Sequence, residues 1–321
     1  MASITVVINP NSRRNSTSLR SRVVRSLARE HDVESVVTRA RGDGTKLARK
    51  AVADGAAIIV TMGGDGTVNE VALSLEDQPV LLCPLPIGGT NVFARSLGWP
   101  SSPDAAVSVF AGAVNNPEAH AVDIRAWRIA VEGSERLVCL NAGVGIDAET
   151  VAEVERRPIA KRFLGQGAFA VAAAAAAETT ARRGEVMALR SDGDPPIEFA
   201  STSMAIGGPY AYLGRTPLDL LPDAQFDGRL HWLGLHGGRR ADIARVARGA
   251  LTGDLGADQV ALVRGAASRE LTVSCSTEVA VQVDGEPLGL HREIHFSPGG
   301  RVRVLAPDAE FVAQVRAGAS R

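Results

Sequence analysis

Asp65 stands among glycines in the run Gly63-Gly64-Asp65-Gly66-Thr67, directly after Ile58-Ile59-Val60-Thr61-Met62 and before Val68-Asn69-Glu70-Val71-Ala72. An apolar, β-branched run closed by glycines and followed by apolar residues at helical spacing reads as strand, tight loop and helix N-terminus. That corner suits phosphate. Glycines let backbone amides approach an anion, and the first turn of the helix offers N–H groups without intrahelical partners at the positive end of its dipole. A carboxylate among those amides would repel the ligand unless a divalent cation or a transferring proton lies between them, which points to Mg²⁺ and phosphoryl transfer. The competing reading of the same letters is a Gly-Asp-Gly turn with Asp65 capping a helix. The preceding strand, the paired glycines and the polar Thr67 and Asn69 favour the phosphate site.

A second glycine loop follows, Leu85-Pro86-Ile87-Gly88-Gly89-Thr90-Asn91-Val92-Phe93-Ala94-Arg95, after the strand-like Val80 to Cys83. Two such loops at successive strand ends form two walls of one cleft. Neither ends in the GK[ST] of a P-loop and neither spells GxGxxG, which disfavours a Walker-type ATPase and a standard Rossmann dehydrogenase.

The elements that must position these loops alternate. Ile4 to Ile8 is a strand running into the turn Asn9-Pro10-Asn11-Ser12; a helix over Ser18 to Arg29 and a strand Val33 to Thr38 follow. A second helix after Gly42-Asp43-Gly44-Thr45 and the strand Ala57 to Thr61 lead to the Asp65 loop. Alternation of this kind predicts a parallel sheet with its loops gathered at the carboxyl edge. Beyond Asn115-Asn116-Pro117 the pattern turns to strands: Ala121 to Val131, Arg136 to Asn141, Glu185 to Arg190, Glu198 to Ile206, Arg229 to Leu235, Glu270 to Cys275, Val279 to Val283 and Arg301 to Leu305. Asn141 to Asp147 and Asp223 to Gly228 read as turn-rich connections, and Asp308 to Arg316 as a closing helix. The expected fold class is an α/β N-terminal domain with a parallel sheet over residues 1–117, then a mainly antiparallel β domain over 118–305. The last helix, within 306–321, is expected to return to the first domain.

With 321 residues, 45% hydrophobic and 22% charged, the chain is long and apolar enough for two cores. A formal net charge of −1 supplies no global field for nucleic acid, so no nucleic-acid partner is expected. Arg13, Arg14, Arg20, Arg22, Arg25 and Arg29 concentrate positive charge near the N-terminus, as phosphate contacts or as the solvated face of a helix. Cys83, Cys139 and Cys275 are few, odd in number and set in apolar runs, which reads as buried thiols in a reducing compartment. The opening MASITVVINP lacks the regions of a signal peptide, so a cytoplasmic location is expected. Phe169 to Ala177 is Ala-rich and apolar but far short of a bilayer span, and reads as a packed helix with no transmembrane segment.

Taken together, Asn9-Pro10, the GGDGTVNE run from Gly63 to Glu70, the loop Pro86 to Arg95, Asn141-Ala142-Gly143-Val144-Gly145-Ile146-Asp147-Ala148, Asp227-Gly228 and Val283-Asp284-Gly285-Glu286 resemble the diacylglycerol kinase catalytic family. That family includes bacterial lipid kinases and the sphingosine and ceramide kinases. The motifs follow the family's order along nearly the whole chain. The resemblance implies ATP and Mg²⁺, a nucleotide cleft between the two domains, and a hydroxyl of diacylglycerol or a related lipid as acceptor. It also implies peripheral contact with the membrane surface, and a homo-oligomer is compatible with it.

Carried over by position, the resemblance implies that Asn9, Pro10, Asn11 and Thr38 contact nucleotide. The triphosphate would lie on Gly63, Gly64, Asp65, Gly66, Thr67, Asn69 and Glu70, with Gly88, Gly89 and Thr90 beside it. It gives Asp65 the catalytic metal, Asp227 with backbone groups near Arg229 a structural Mg²⁺, and Glu286 the role of general base. The family commonly reads GTxND where this chain has Gly88-Gly89-Thr90-Asn91-Val92, so a carboxylate is missing at Val92, and Asp65 and Asp123 are left as that neighbourhood's acidic residues and expected metal ligands. Other readings stay open. Asp284-Gly285 also fits a type I′ hairpin turn that leaves Glu286 a solvated strand residue, Asp147 fits a helix cap, and His291 with His295 fits a packed pair better than zinc on a strand. An NAD kinase shares the GGDGT loop, and a nucleotide-binding regulator without catalysis accommodates Val92.

Overall fold

The structure, a computed structural model, describes residues 1–156, 186–236, 240–255 and 262–318. The Ala-rich stretch from Phe169 to Ala177 lies outside the described residues. The chain divides into two compact units, Met1–Ala126 with Gly299–Arg321, and Trp127–Pro298. The second is thus inserted, in sequence, within the first.

The first unit begins with β1 (Ser3–Ile8), α1 (Thr17–Leu27), β2 (Asp32–Val37), α2 (Asp43–Ala53), β3 (Ile58–Gly63), α3 (Asp65–Ala72) and β4 (Leu81–Pro86). It continues with α4 (Val92–Ser96), α5 (Pro103–Asn115), α6 (Pro117–His120) and the start of β5 (Ala121–Val131). β1 lies between β2 and β3, β4 flanks β3, and all these pairs are parallel, in register Ile4↔Val33, Ile4↔Ile58 and Ile58↔Leu81. β3 and β4 are buried at every position, which explains their unbroken apolar character, whereas the edge strand β2 is largely exposed and carries Asp32 and Glu34. Parallel pairing sends the loops after β1, β3 and β4 to one sheet edge. α1 shows why the sequence starts a helix there: the Ser16 side chain accepts the Leu19 N–H at 3.1 Å, and Leu19, Val23 and Leu27 form its buried stripe.

The second unit contains the rest of β5, then β6 (Ser134–Val138), β7 (Asn141–Val144), α7 (Ile146–Arg156), β8 (Met187–Ser191), β9 (Ile197–Phe199) and β10 (Ser201–Ala205). Next come β11 (Ala211–Leu213), β12 (Thr216–Leu218), β13 (Leu230–Leu235), α8 (Arg240–Thr252), β14 (Leu262–Ala267), β15 (Leu271–Val283) and β16 (Glu286–Leu305). The order β14-β13-β10-β7-β15-β16 is antiparallel throughout. The end of β16 lies in the first unit, where Val304 pairs in parallel with Leu82, and α9 (Ala309–Gly318) follows in that unit. Gly299 there presses on β5: a Cβ on it would lie 3.1 Å from the Ala126 carbonyl oxygen.

The connection expected over Asn141 to Asp147 is instead strand β7, a tight turn at Gly145 and the start of α7. Its glycines are packing requirements, since a Cβ on Gly143 would overlap the Asp147 carboxylate. The two strands expected over Glu270–Cys275 and Val279–Val283 are one strand, β15, whose pairing with β16 shifts register between Ser274 and Val279. No helix among the described residues is long and apolar enough to cross a membrane.

Candidate phosphate-binding site and its companion turn

Three loops meet at the carboxyl edge of the first unit's sheet. Asn9 continues β1: its N–H donates to Met62 O at 3.1 Å, its Nδ2 donates to Thr67 Oγ1 at 3.1 Å, and its Oδ1 accepts the Asn11 N–H at 3.0 Å. Asn15 ties the same loop down through Asn9 O at 2.6 Å. Thr38, buried at the end of β2, donates its N–H to Ile8 O at 2.9 Å. The glycines here are demanded by proximity. A Cβ on Gly63 would overlap Thr67, and one on Gly88 would overlap Gly64 Cα, so the two glycine loops touch backbone to backbone. The Gly88 loop is cross-braced, with Gly88 N–H donating to Asn91 Oδ1 at 2.7 Å and Asn91 Nδ2 returning to Gly88 O at 3.2 Å, while Asn91 holds a left-handed φ of 52°.

Asp65 joins these loops. The cap of α3 is Gly64, and the Asp65 carboxylate reaches across to the start of α4, accepting Phe93 N–H at 3.0 Å on Oδ1 and facing Thr90 Oγ1 at 3.5 Å with Oδ2. Burial raises its pKa, and the amides of Val92 and Phe93 offset part of that rise. Glu70, one turn on, faces away from the glycines: Oε1 accepts Gly42 N–H at 2.7 Å and Oε2 accepts Gly44 N–H at 2.9 Å, so it shapes the loop that opens α2. Gly89 has open space around it. Of the N-terminal arginines, Arg14 holds Ser101 O, Arg20 holds Asn15 and Pro10 O, Arg22 pairs with Asp104, and Arg25 bonds Ser21 O. Four of the six guanidiniums therefore brace the fold.

In the second unit Asp284 and Gly285, at φ 47° and 80°, make the turn between β15 and β16, the torsion signature of a type I′ hairpin. The turn is anchored well beyond the ordinary hairpin. The Asp284 carboxylate accepts the N–H groups of Cys139, Leu140 and Asn141 at 2.9, 2.8 and 2.9 Å, and Asp284 N–H donates to Asn141 O at 2.8 Å. Behind it Gln282, which sequence reasoning passed over, accepts Gly285 N–H on Oε1 at 2.9 Å and is fully buried. Its signal was an amide inside the apolar run Val279-Ala280-Val281-Gln282-Val283. Glu286 leaves this turn as the first residue of β16.

Residues 3–123 match the model of the diacylglycerol kinase catalytic domain. Over that span, well under half of its length, the chain is similar to that catalytic domain. A protein of Pseudomonas fluorescens named "Probable lipid kinase YegS-like" is 27% identical over 282 residues, covering 86% of each chain. A protein of the same name from Chromohalobacter salexigens is 35% identical over 146 residues, which is 44% of this chain and less than half, 43%, of that relative. A crystal structure of a diacylglycerol kinase from Bacillus anthracis superposes with a TM-score of 0.68 over 95% of this chain and 97% of its own, at 18% identity, a likeness of fold.

The kinase family's two Mg²⁺ positions fare differently. Asp65 fits: its carboxylate is held by neutral donors, burial disfavours its charge, and a hydrated Mg²⁺ carried in with a nucleotide needs one or two carboxylates besides phosphate oxygens. Asp227 does not fit. Arg229 binds its Oδ2 through Nε at 2.7 Å and a terminal nitrogen at 2.6 Å, Arg229 N–H reaches Oδ1 at 3.1 Å, and His231 Nε2 lies 3.1 Å from both oxygens. The neighbouring Gly228 carbonyl accepts the Trp127 indole N–H at 3.1 Å. Donors occupy the oxygens a metal would require. Burial alone would raise the Asp227 pKa; hydrogen bonds from His231 and Arg229 instead lower it to about 2. Asp123, the third carboxylate expected to hold metal, lies on β5, half exposed, as the partner of Arg303 Nε at 3.3 Å. Among the described residues no three His, Cys, Asp or Glu side chains cluster as metal ligands; His291 bonds Leu288 O and His295 faces Thr272 Oγ1.

Proposed function

We propose that the protein is a lipid kinase that transfers the γ-phosphoryl group of ATP to a hydroxyl of diacylglycerol or a related lipid, acting from the cytoplasm at the membrane surface. The observation that carries this reading is Asp65, lodged where two glycine loops touch and where the start of α3 presents its amides. The match of residues 3–123 to the diacylglycerol kinase catalytic domain and the similarity to proteins named as YegS-like lipid kinases support it.

In this reading the amides around Gly64 to Thr67 and Gly88 bind and orient the triphosphate. Asp65 would hold Mg²⁺, which when bound neutralises charge on the phosphate oxygens. Thr67, fixed by Asn9, and Thr90 supply hydroxyls at the same edge. Glu286 takes the proton of the acceptor hydroxyl as its oxygen bonds to the γ-phosphorus and the bond to the β-phosphate oxygen breaks, releasing ADP. Val92 favours one second reading, a nucleotide-binding regulator, because it removes a family carboxylate next to Asp65. Incubation of the protein with labelled ATP and a lipid extract, read by mass spectrometry, separates the two. A phosphorylated lipid that is absent with Asp65→Asn supports the kinase, and nucleotide binding without any labelled lipid rejects it.

A further inference from the structure

Gln282 sits in a buried polar cluster of the second unit. Its side-chain nitrogen donates to Asp147 Oδ2 at 2.9 Å and lies 3.2 Å from Tyr210 Oη and 3.4 Å from Asn141 Oδ1. Tyr210 donates its hydroxyl to the same Asp147 oxygen at 2.6 Å, and Asn141 Nδ2 donates to Tyr210 O at 2.9 Å. Gln282 is 1% exposed, and Tyr210 and Asn141 are each 7% exposed. An apolar set in these places would cost less to bury, because every polar atom there must find a partner. Burial raises the Asp147 pKa, with Tyr210 and Gln282 offsetting it, so the cluster is held together against its own desolvation. What the cluster does is fix one amide. Asp147 demands an N–H and Gly285 N–H demands an oxygen, so Gln282 has a single orientation, and through it the buried carboxyl is tied to the turn.

We infer that Gln282, oriented by Asp147 and Tyr210, is a positioning residue that sets the direction in which Glu286 leaves the Asp284-Gly285 turn. The inference rests on Glu286 being the general base. The turn is gripped twice, Asp284 by the amides of Cys139 to Asn141 and Gly285 by Gln282, and both grips act on the residues immediately before Glu286. A base must be held to within about 0.5 Å to work, and a misplacement of about 1 Å costs on the order of 10²-fold.

The test is a double-mutant cycle on the full chain with Mg²⁺-ATP and the lipid that the extract screen returns. Gln282→Met keeps the volume and removes both the donor and the acceptor. It is expected to melt cooperatively above the assay temperature, bind nucleotide within about twofold of the parent and lose about 10- to 100-fold in kcat. In a Glu286→Gln background the same change is expected to cost less than about threefold more, because the group it positions is gone. A folded Gln282→Met with parental kcat, or losses that multiply in the double variant, overturns the inference while a slow Glu286→Gln keeps the base. A Glu286→Gln variant with parental turnover overturns both. If Gln282→Met does not fold, Tyr210→Phe replaces it, with the same non-additivity required at a smaller loss.

Discussion

The acidic residues of the two motifs all bond backbone amides, and they differ in which parts of the chain those amides belong to. Glu70 holds Gly42 and Gly44, and Asp284 holds three amides, so these act on the chain itself. Glu70→Ala is expected to lower stability by about 1–2 kcal/mol in urea unfolding, since two charge-assisted bonds at a partly exposed site are lost. Nucleotide affinity should drop no more than the stability loss explains; a large affinity loss in a variant of unchanged stability would return Glu70 to the nucleotide. Asp65→Asn keeps an oxygen to accept Phe93 N–H, so the fold should persist while phosphoryl transfer falls by on the order of 10²-fold. Normal turnover of that folded variant would remove Asp65 from the chemistry. The sequence made Asp65 conspicuous because a lone acid among glycines is unusual. It could not distinguish Glu70, whose partners lie 26 and 28 residues upstream in a loop that only the fold brings alongside.

At the level of elements, the parallel strands were legible wherever β-branched runs stopped at glycines, and β4 was read short because Pro84 and Pro86 argue against a strand although the sheet carries both. α8 and the short hairpin of β11 and β12 escaped notice, since each hairpin strand is only three residues long and the apolar residues of α8 are interrupted by Asp242, Arg245 and Arg248. The Asp227–Gly228 turn shows the limit of reading by resemblance: two letters match a metal position, while the next residues, Arg229 and His231, supply donors in its place. Chelation with EDTA is accordingly expected to leave the unfolding midpoint of the protein unchanged, and a midpoint that drops on chelation and recovers with Mg²⁺ would place a structural metal there. The same turn predicts a pH effect. With its pKa lowered from 3.8 to about 2, Asp227 binds fewer protons folded than unfolded in that window. Its stabilisation is therefore complete above about pH 4 and is lost as pH falls towards 2. Asp227→Asn should flatten the acid limb of a stability–pH curve, and an unchanged limb would assign acid lability elsewhere.

For the whole molecule, the sequence announced two kinds of architecture but not how the chain is threaded through them. The switch in pattern was visible near Pro117, whereas contacts keep the chain in the first unit to Ala126 and bring it back at Gly299, where Ser297-Pro298-Gly299-Gly300 has the letters of a turn yet continues the strand β16. That return has a practical meaning. Because Gly299 rests against the Ala126 carbonyl, the exit and re-entry points are neighbours, and the first unit is a host whose guest occupies a gap only a few ångströms wide. Closing that gap with a few glycines, from Ala126 directly to Gly299, asks for almost no loop-closure entropy and leaves Val304 its place beside Leu82. The excised host should melt cooperatively and bind Mg²⁺-ATP by calorimetry with no lipid kinase activity, and a spliced chain without a cooperative transition would show that the guest is needed to fold it. On the proposed kinase reading, insertion at such a seam would let the guest be lengthened or replaced with the host left intact, so that acceptor choice and nucleotide handling diverge separately within one continuous gene.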